Sequence, residues 1–456
     1  MKSKKHFLLL SLPVQSHINP TLQLAKILTR SGANVTYATT TTGLGRLGAL
    51  PTIDGLSYAT FSDGKEHNGT LILDDYLAVL KRVAPQSVTK LLQDLSTKGT
   101  PVTFIVYTVV LPWVAEVARD INLPSAFLFI QCATAFSIFH RFFNSQDGLH
   151  DGVHDISPDV SVQLPGLPLF TCKDIPDFVF RHNQYYSSMV PVLQEHIQTL
   201  EKDPNPFVLV NTFDALEGDI IKSFPNMKLL AIGPLLPSAF SDGNDLDDKS
   251  FGGTLFKNPN NYLTWLDSKP DESVIYASFG SIVQLQETQK EEILHGLMTS
   301  NRPFLWVIRD INEEEVKSMK LNNGIADELG FIVPWCSQVE VLCHRSIGCF
   351  VTHCGWNSTV ESIIGGVPMV GCPQFSEQKT NINMVEQVWG NGIRVKENDE
   401  GVFGREEIRR CLDIVMGEEE KGKEIRRNAM KWKCLAVEAV KEGGSSHNNV
   451  KQFLEM

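Results

Sequence analysis

The sequence lacks the features of a nucleic-acid-binding or membrane-spanning protein. Its 41 Lys and Arg residues are outnumbered by 53 Asp and Glu residues, giving a formal net charge of −12. This balance argues against nucleic acid or an anionic membrane as a partner. No stretch approaches the roughly 20 apolar residues of a transmembrane helix, and the apolar run after MKSKK lacks a signal-peptide cleavage site. These absences predict a soluble cytoplasmic protein without a membrane anchor.

Cysteine is not arranged for metal binding or for disulfides. The nine cysteines are an odd number and stand mostly in apolar surroundings. Four of them lie between residues 336 and 354, but no CxxC pair occurs, which disfavours a zinc site. We therefore predict reduced thiols, as in the cytosol, and no metal.

A dinucleotide fingerprint is also missing after the first predicted strand. The loop at residues 13–20 reads PVQSHINP and contains no GxGxxG. Two βαβ domains alone would allow a nicotinamide or flavin oxidoreductase, and this loop disfavours that alternative.

What the sequence does contain is alternating strands and helices in two halves. HFLLLSL (6–12) predicts a strand, Asn19-Pro20 predicts the start of a helix, and NVTYATT (34–40) predicts a second strand. Such a βαβ unit implies a parallel sheet. A second alternating region begins at VIYASFG (274–280), after a stretch rich in Gly, Asp and Ser. The length of 456 residues fits two domains.

The block from Trp335 to Gln378 carries the clearest chemical pattern. It contains an apolar strand (348–352), a tight turn at His353-Cys-Gly355, and a helix for which Asn357 or Ser358 is the predicted cap. A helix start presents unpaired amides and a positive dipole end, and therefore binds phosphate. With the side chains of the turn as further donors, the pattern predicts a diphosphate site.

This block resembles the signature box of plant secondary-product glycosyltransferases, family-1 enzymes that transfer a sugar from a UDP-sugar to a small molecule. The motif HCGWNSTVES is specific, and the match has no gap. Weaker similarity is carried by SHINP, LPWVAEVA, LPGLP, VLVNTFDALE and WLDSKPDESVIYASFGS. The resemblance implies an α/β protein of GT-B-like fold, with two facing Rossmann-like domains and the active site in the cleft between them. A UDP-sugar epimerase is disfavoured by the same box.

The resemblance and the composition together predict four segments. Residues 1–237 form an N-terminal acceptor-binding domain, and residues 238–257 form an interdomain linker. Residues 258–440 form a C-terminal UDP-sugar-binding domain. Residues 441–456 form a helix that crosses back onto the first domain.

On the catalytic side, the resemblance implies that His17 is the general base, since imidazole titrates near neutral pH. Relatives hold this base with an aspartate, but the matching residue here is Thr108. A hydroxyl orients the ring without neutralising its charge, so we predict a weaker base. Glu116 or Asp120 could substitute, although a solvated helix face is the other interpretation of these two residues.

The same resemblance assigns a set of residues to the donor. Trp335 would stack on uracil, Gln338 and Glu361 would contact the ribose, and a terminal Gln378 is typical of UDP-glucose enzymes. Ser358 and Glu361 also fit a capping box, a structural alternative for that carboxylate. The UDP-sugar-binding residues implied are Ser281, Trp335, Cys336, Gln338, His353, Trp356, Asn357, Ser358, Glu361, Glu377 and Gln378.

A weak base favours an acidic acceptor. A carboxylic acid needs no base and a phenol needs a modest one. Thr108 and FSDGK (61–65) resemble the branch that makes glucose esters and phenolic glucosides, including anthocyanin 5-O-glucosides. The prediction is inverting glucose transfer from UDP-glucose, without metal or cofactor, by a monomer. The alternative is a catalytically impaired sugar-nucleotide-binding protein. We expect acceptor-pocket walls among Trp113, Phe136, Phe139, Phe142 and residues 178–180.

Overall fold

The computed structural model describes residues 4–64, 73–149, 161–180, 183, 186–255, 261–309 and 311–456. Two parallel β-sheets, each flanked by helices, organise the chain. The predicted α/β fold with two Rossmann-like domains is confirmed.

The N-terminal sheet has seven strands in the order β3-β2-β1-β4-β5-β8-β9, all parallel. Its central strands are apolar on both faces, as expected for a sheet covered by helices on both sides. A small antiparallel pair, β6 and β7, lies outside it. The strands are β1 (His6–Leu10), β2 (Asn34–Thr40), β3 (Leu56–Phe61), β4 (Phe104–Thr108), β5 (Ser125–Phe129), β6 (Ser161–Gln163), β7 (Leu169–Thr171), β8 (Phe207–Val210) and β9 (Lys228–Ala231).

The helices between these strands pack on the sheet and on one another. They are α1 (Gln15–Arg30), α2 (Thr41–Arg46), α3 (Leu73–Thr97), α4 (Trp113–Asp120), α5 (Ala133–Phe143), α6 (Tyr186–Lys202) and α7 (Asp214–Lys222).

The C-terminal sheet has six parallel strands in the order β12-β11-β10-β13-β14-β15. Its strands are β10 (Val274–Ser278), β11 (Phe304–Val307), β12 (Gly330–Val333), β13 (Ile347–Thr352), β14 (Met369–Gly371) and β15 (Gly392–Arg394). Its helices are α8 (Asn261–Asp267), α9 (Glu287–Thr299), α10 (Glu313–Asn323), α11 (Gln338–Leu342), α12 (Trp356–Gly365), α13 (Gln378–Asn383), α14 (Arg405–Met416) and α15 (Glu420–Val440), with a π-helical turn at Met384–Trp389.

The last helix, α16 (Ser445–Glu455), packs on the N-terminal sheet. The amide of Asn449 donates to the carbonyl of Ala231 over 2.9 Å, and the Phe453 ring lies 5.5 Å from Phe7 and 5.0 Å from Phe104 between centroids. The chain end therefore joins the two halves.

The segment after β9 packs on α1. The ammonium group of Lys26 contacts a carboxylate oxygen of Asp248, and Arg30 contacts both Asp248 and Asp245 at 2.9 and 2.7 Å. Lys26 is almost fully buried, so this carboxylate partner is needed to offset its desolvation. The segment is thereby held against the helix that carries His17.

One predicted boundary is wrong. Helix α1 begins at Gln15, with Val14 as its cap, and not at Asn19-Pro20. Pro20 lies inside the helix, where it supplies no N–H for the carbonyl four residues earlier. That carbonyl belongs to Ser16, and its partner comes from the other domain.

Candidate functional site

A cleft of about 540 Å³ separates the two domains. Its walls are the segments that follow β1, β4 and β5 in one sheet, and β10, β12, β13 and β14 in the other. In open α/β sheets these carboxyl ends are where ligands bind. All the residues assigned to UDP-sugar, together with His17, line this cleft.

His17 and Thr108 are in contact, as the sequence predicted. His17 lies in the first turn of α1, and Thr108 is the fully buried last residue of β4. The Nδ1 atom of His17 lies 3.2 Å from the Oγ1 atom of Thr108. This contact orients the ring and leaves its Nε2 atom for other partners.

Burial lowers the pKa of His17 to about 4. The imidazole is therefore neutral at pH 7, which is the state that a general base requires. The low pKa also means that His17 is a weak base. The two carboxylates considered as substitutes do not compensate, because Glu116 and Asp120 are exposed on α4. The solvated-face interpretation is the correct one for both residues.

The start of α12 faces the cleft opposite α1. The N-cap is Gly355, without a side-chain cap, so the prediction of Asn357 or Ser358 as the cap is wrong. Both residues lie instead in the first turn, where backbone N–H groups have no intrahelical acceptor. Gly355 to Ser358 line the cleft, so an anion has access to this helix start.

His353 fills the turn before α12. Burial lowers its pKa to about 4, and its Nδ1 atom has no hydrogen-bond partner within the described part of the chain. A Cβ atom at Gly280 or at Gly355 would lie only 2.6 Å from its Nε2 atom. Gly280 also has a φ of +77°. Glycine is thus required at residue 280 both for the backbone and for the His353 ring.

Asn357 connects α12 to α1. Its side-chain amide donates to the carbonyl of Ser16 over 3.0 Å. This is the carbonyl that Pro20 leaves without an intrahelical donor. The hydrogen bond places the proposed phosphate-binding turn one residue from His17.

Gln338 connects three side chains on the wall of the cleft that the C-terminal domain forms. Its amide nitrogen donates to Ser358 Oγ at 2.8 Å and to a carboxylate oxygen of Glu361, and its carbonyl accepts from Tyr276 at 3.2 Å. The Tyr276 hydroxyl also lies 3.3 Å from the Sγ atom of Cys336. Burial raises the pKa of Glu361 to about 7, and Gln338 partly offsets this. The capping box, which was the structural alternative for Glu361, is not formed, and Glu361 lines the cleft.

Glu377 receives hydrogen bonds from both domains. Its Oε2 atom accepts from the Gln131 amide at 2.7 Å and from the hydroxyl of Ser376 at 2.5 Å. Burial raises the pKa of the Glu377 carboxyl. The backbone N–H of Trp356, at the start of α12, partly offsets this increase. These contacts fix the orientation of the carboxylate between the two domains.

Gln378 is oriented by its own turn. Its Oε1 atom accepts from the backbone N–H groups of Gln374 and Phe375, at 2.8 and 3.1 Å. Because the carbonyl end is held by the backbone, the amide NH₂ group is the end left for a ligand.

The remaining residues that the sequence assigns to UDP-sugar differ in burial and in contacts. The Trp335 ring is partly exposed after β12. The Trp356 indole is buried, and its N–H donates to the carbonyl of Asn211 in the other domain over 2.7 Å. The carbonyl of Ser281 accepts from Arg309, which also reaches Val283 at 3.3 Å. Trp356 thus joins the two domains, and Arg309 holds the Ser281 segment.

The N-terminal wall of the cleft is built mainly from residues other than the predicted aromatics. Trp113, Phe136, Phe139 and Phe142 are buried in the core and do not line the cleft, whereas Phe178 does. These four rings belong to the hydrophobic core, where Trp113 packs on Phe61 of β3 and Phe136 packs on Phe129 of β5. Apolar residues that line the N-terminal half are Val14, Leu73, Val109, Val110, Ile130, Phe178 and Met189.

One glycine pattern lies away from the cleft. GLGRLG at residues 43–48 has the GxGxxG spacing, but it follows β2 and lies largely on the six-residue helix α2. A dinucleotide fingerprint instead opens the first helix of its βαβ unit. None of these six residues, all of them described, lines the cleft.

Comparison with known proteins decides the family. A family profile described as UDP-glucoronosyl and UDP-glucosyl transferase matches residues 252–435. Phloretin 4'-O-glucosyltransferase of Malus domestica is 47% identical over 98% of this chain and 97% of its own. The chain belongs to the UDP-glycosyltransferase family. The relatives of this UDP-glycosyltransferase include anthocyanidin 3-O-glucoside 5-O-glucosyltransferase of Verbena hybrida, 43% identical over 99% of both chains.

Solved structures agree with the fold. The crystal structure of Os79 from O. sativa in complex with UDP matches this UDP-glycosyltransferase with a TM-score of 0.87 and 31% identity, over 99% of both chains. The predicted GT-B fold is therefore confirmed, and the protein is a hexosyltransferase. No helix in the described part of the chain is long and apolar enough to span a bilayer.

Three residues of the site were not indicated by the sequence. Gln131 contacts Glu377, Tyr276 contacts Gln338, and Asp177 contacts Ser376. Each partner lies at least 62 residues away along the chain, so no local spacing could signal these contacts.

Proposed function

We propose that this UDP-glycosyltransferase transfers glucose from UDP-glucose to the hydroxyl group of a small phenolic acceptor. The observation that carries the proposal is the neutral His17, held by Thr108, on the opposite side of one cleft from the α12 helix start. A base and an anion-binding turn are the two elements that transfer from a sugar diphosphate needs. UDP-glucose as the donor rests on the Gln378 amide, with its NH₂ group left for a ligand.

The reaction follows as a single displacement. The acceptor oxygen attacks the anomeric carbon, the bond from that carbon to the diphosphate oxygen breaks, and UDP leaves with the electron pair. The proton of the acceptor passes to Nε2 of His17. Attack opposite the leaving group converts an α-linked donor into a β-glucoside. The α12 amides and the side chains of Asn357 and Ser358 would stabilise the diphosphate charge without metal or cofactor.

The lining favours a phenol over a carboxylic acid. The described residues that line the cleft include no Lys or Arg, and His17 is neutral. A carboxylate entering the apolar half would lose hydration without a cationic partner. A phenol enters neutral and has a pKa of about 10, so a weak base can take its proton. An alkyl alcohol holds its proton more tightly and is the poorest acceptor for this site.

The setting of the reaction is part of the proposal. The acidic composition and the small-molecule cleft fit a monomeric cytoplasmic enzyme whose partners are the sugar nucleotide and the acceptor. Neither nucleic acid nor a membrane is a partner in this proposal.

A mass-spectrometric screen tests the function. UDP-glucose is offered with phenols, aromatic carboxylic acids and alkyl alcohols, to the wild-type enzyme and to His17→Ala. Glucosylated phenols, lost by about 10²- to 10⁴-fold in the variant, are the expected result. Glucose esters that survive His17→Ala would instead identify a carboxylic acid as the acceptor.

The second candidate is a sugar-nucleotide-binding protein without turnover. It is favoured by one observation, the absence of a carboxylate at residue 108 beside the weakly basic His17. UDP binding without product from any acceptor class would support this candidate.

A further inference from the structure

The N-terminal domain contacts the turn that carries Glu377. The backbone N–H of Ser376 donates to the Oδ1 atom of Asp177 over 2.6 Å, and the N–H of Asp177 donates to the carbonyl of Ser376 over 3.1 Å. Ser376 has a φ of +63°, in the left-handed region that side-chain-bearing residues rarely adopt. The reciprocal pair therefore holds Ser376 in a costly conformation.

We propose that Asp177 is a positioning residue for the donor sugar, because it fixes the Ser376 turn and thereby the carboxylate of Glu377. This inference rests on the proposed function, in which Glu377 binds a sugar hydroxyl. The hydroxyl of Ser376 also donates to Glu377, so a change in this turn displaces both the backbone and a direct partner of that carboxylate.

The contact brings two acidic side chains, Asp177 and Glu377, close together. Burial is the main cause that raises the pKa of Glu377, and charge repulsion from the nearby Asp177 raises it further. Burial also raises the pKa of Asp177 to about 6, while the Ser376 N–H lowers it. Asp177 is thus ionised at pH 7 and receives a charge-assisted hydrogen bond from the turn, which is stronger than a neutral one.

A neighbouring aspartate provides the matched control. Asp174 lies in the same segment, and its carboxylate pairs with Arg394 at 2.8 Å. It contacts the donor domain but not the turn of Ser376. Both aspartates therefore join the domains, whereas Asp177 alone of the two acts on Glu377.

The test compares Asp177→Ala, Asp177→Asn and Asp174→Ala. The KM for UDP-glucose is measured kinetically, and the Kd for UDP is measured by calorimetry. Asp177→Ala should raise the KM for UDP-glucose roughly tenfold, the effect of losing one hydrogen bond to a charged group. It should leave the Kd for UDP within about twofold, because UDP lacks the sugar. Asp177→Asn keeps an oxygen acceptor for the Ser376 N–H but not its charge, so it should recover only part of the loss.

Two outcomes would overturn the inference. One is an equal rise in KM with Asp174→Ala, which would make Asp177 a general domain contact. The other is parallel weakening of UDP and UDP-glucose by Asp177→Ala, which would indicate a disturbed domain. Glu377→Ala separates this inference from the proposed function. If that variant binds UDP-glucose normally, the sugar role of Glu377 fails. If it loses UDP-glucose while Asp177→Ala does not, only the positioning role fails.

Discussion

The Nδ1 atom of His17 lies 3.2 Å from the Oγ1 atom of Thr108, a hydroxyl fully shielded from solvent. A carboxylate in this position would accept from Nδ1–H and so keep Nε2 unprotonated. A hydroxyl can either accept or donate, and therefore does not enforce that tautomer. The alternative acceptor for the hydroxyl is the carbonyl of Val109 at 3.5 Å, which is a weak one.

Thr108→Asp should strengthen the base. A carboxylate beside His17 stabilises the imidazolium, so the pKa of His17 rises from its value of about 4. We expect kcat/KM for alkyl alcohols to increase roughly tenfold, which corresponds to about one pKa unit. The acid limb of the pH profile should move to higher pH. Thr108→Asn keeps a hydrogen-bonding group without the charge and is the control. An equal gain with Asn would exclude a charge effect.

Binding of UDP should release protons near neutral pH. Burial holds the pKa of Glu361 at about 7, so this carboxyl is partly protonated before binding. Ribose hydroxyls donate to the ionised form and would lower that pKa. Affinity for UDP should therefore rise with pH between about 6 and 8. Calorimetry in buffers of different ionisation enthalpy measures the released protons, and Glu361→Gln should abolish them. Unchanged proton release in Glu361→Gln would refute the assignment.

His196→Phe should stabilise the fold, most of all in acid. His196 is buried, stacks 4.1 Å from Phe127, and has no hydrogen-bond partner for either ring nitrogen among the described residues. Removing these unpaired groups should raise the free energy of unfolding by about 1 kcal/mol at pH 7.

The pH dependence of this variant has a definite sign. Burial lowers the pKa of His196 from 6.5 to about 3, so the unfolded chain binds more protons between these values. Wild-type stability from this residue is complete above pH 6.5 and is lost as the pH falls. The advantage of His196→Phe should therefore grow below pH 6.5, as measured by urea unfolding. A constant advantage at all pH values would contradict the pKa argument.

Asn357→Ala should weaken both stability and turnover. The substitution removes the donor to the Ser16 carbonyl, at a cost of about 1–3 kcal/mol in the free energy of unfolding. Pro20→Ala supplies a backbone N–H four residues after Ser16 and should restore part of that stability in the double variant. Turnover should not recover, because Asn357 also serves the diphosphate turn. Equal recovery of both would assign Asn357 a purely structural role.

The sequence predicted the parts of this structure that depend on local pattern. The alternation of strands and helices indicated two Rossmann-like domains, and the family motif indicated which residues meet in the cleft. The start of α1 was missed because Pro20 normally precedes or opens a helix, and its tolerated position depends on a donor from Asn357. The cap of α12 was missed because Gly355 serves without a side chain.

The contacts that orient the site cannot be predicted from local sequence patterns. Gln131 and Asp177 act on the Glu377 turn from the other domain, 246 and 199 residues away. Such pairs arise from how the two sheets face each other, and no spacing or periodicity encodes that arrangement. The aromatic residues of α4 and α5 were predicted to line the cleft but lie in the core. Sequence alone does not distinguish an apolar residue that lines a cleft from one that packs in the core.

The proline in α1 has a consequence for exchanging halves between related enzymes. Because residue 20 has no amide hydrogen, the carbonyl of Ser16 is satisfied by a side chain that the second half of the chain supplies. Consider a hybrid enzyme whose C-terminal half lacks a side-chain amide at residue 357. Its Ser16 carbonyl would have no hydrogen-bond donor, next to the proposed base His17. Whether two exchanged halves form a stable hybrid should therefore depend on the pair of residues at 20 and 357. This requirement is independent of the substrate that the hybrid is designed to glucosylate.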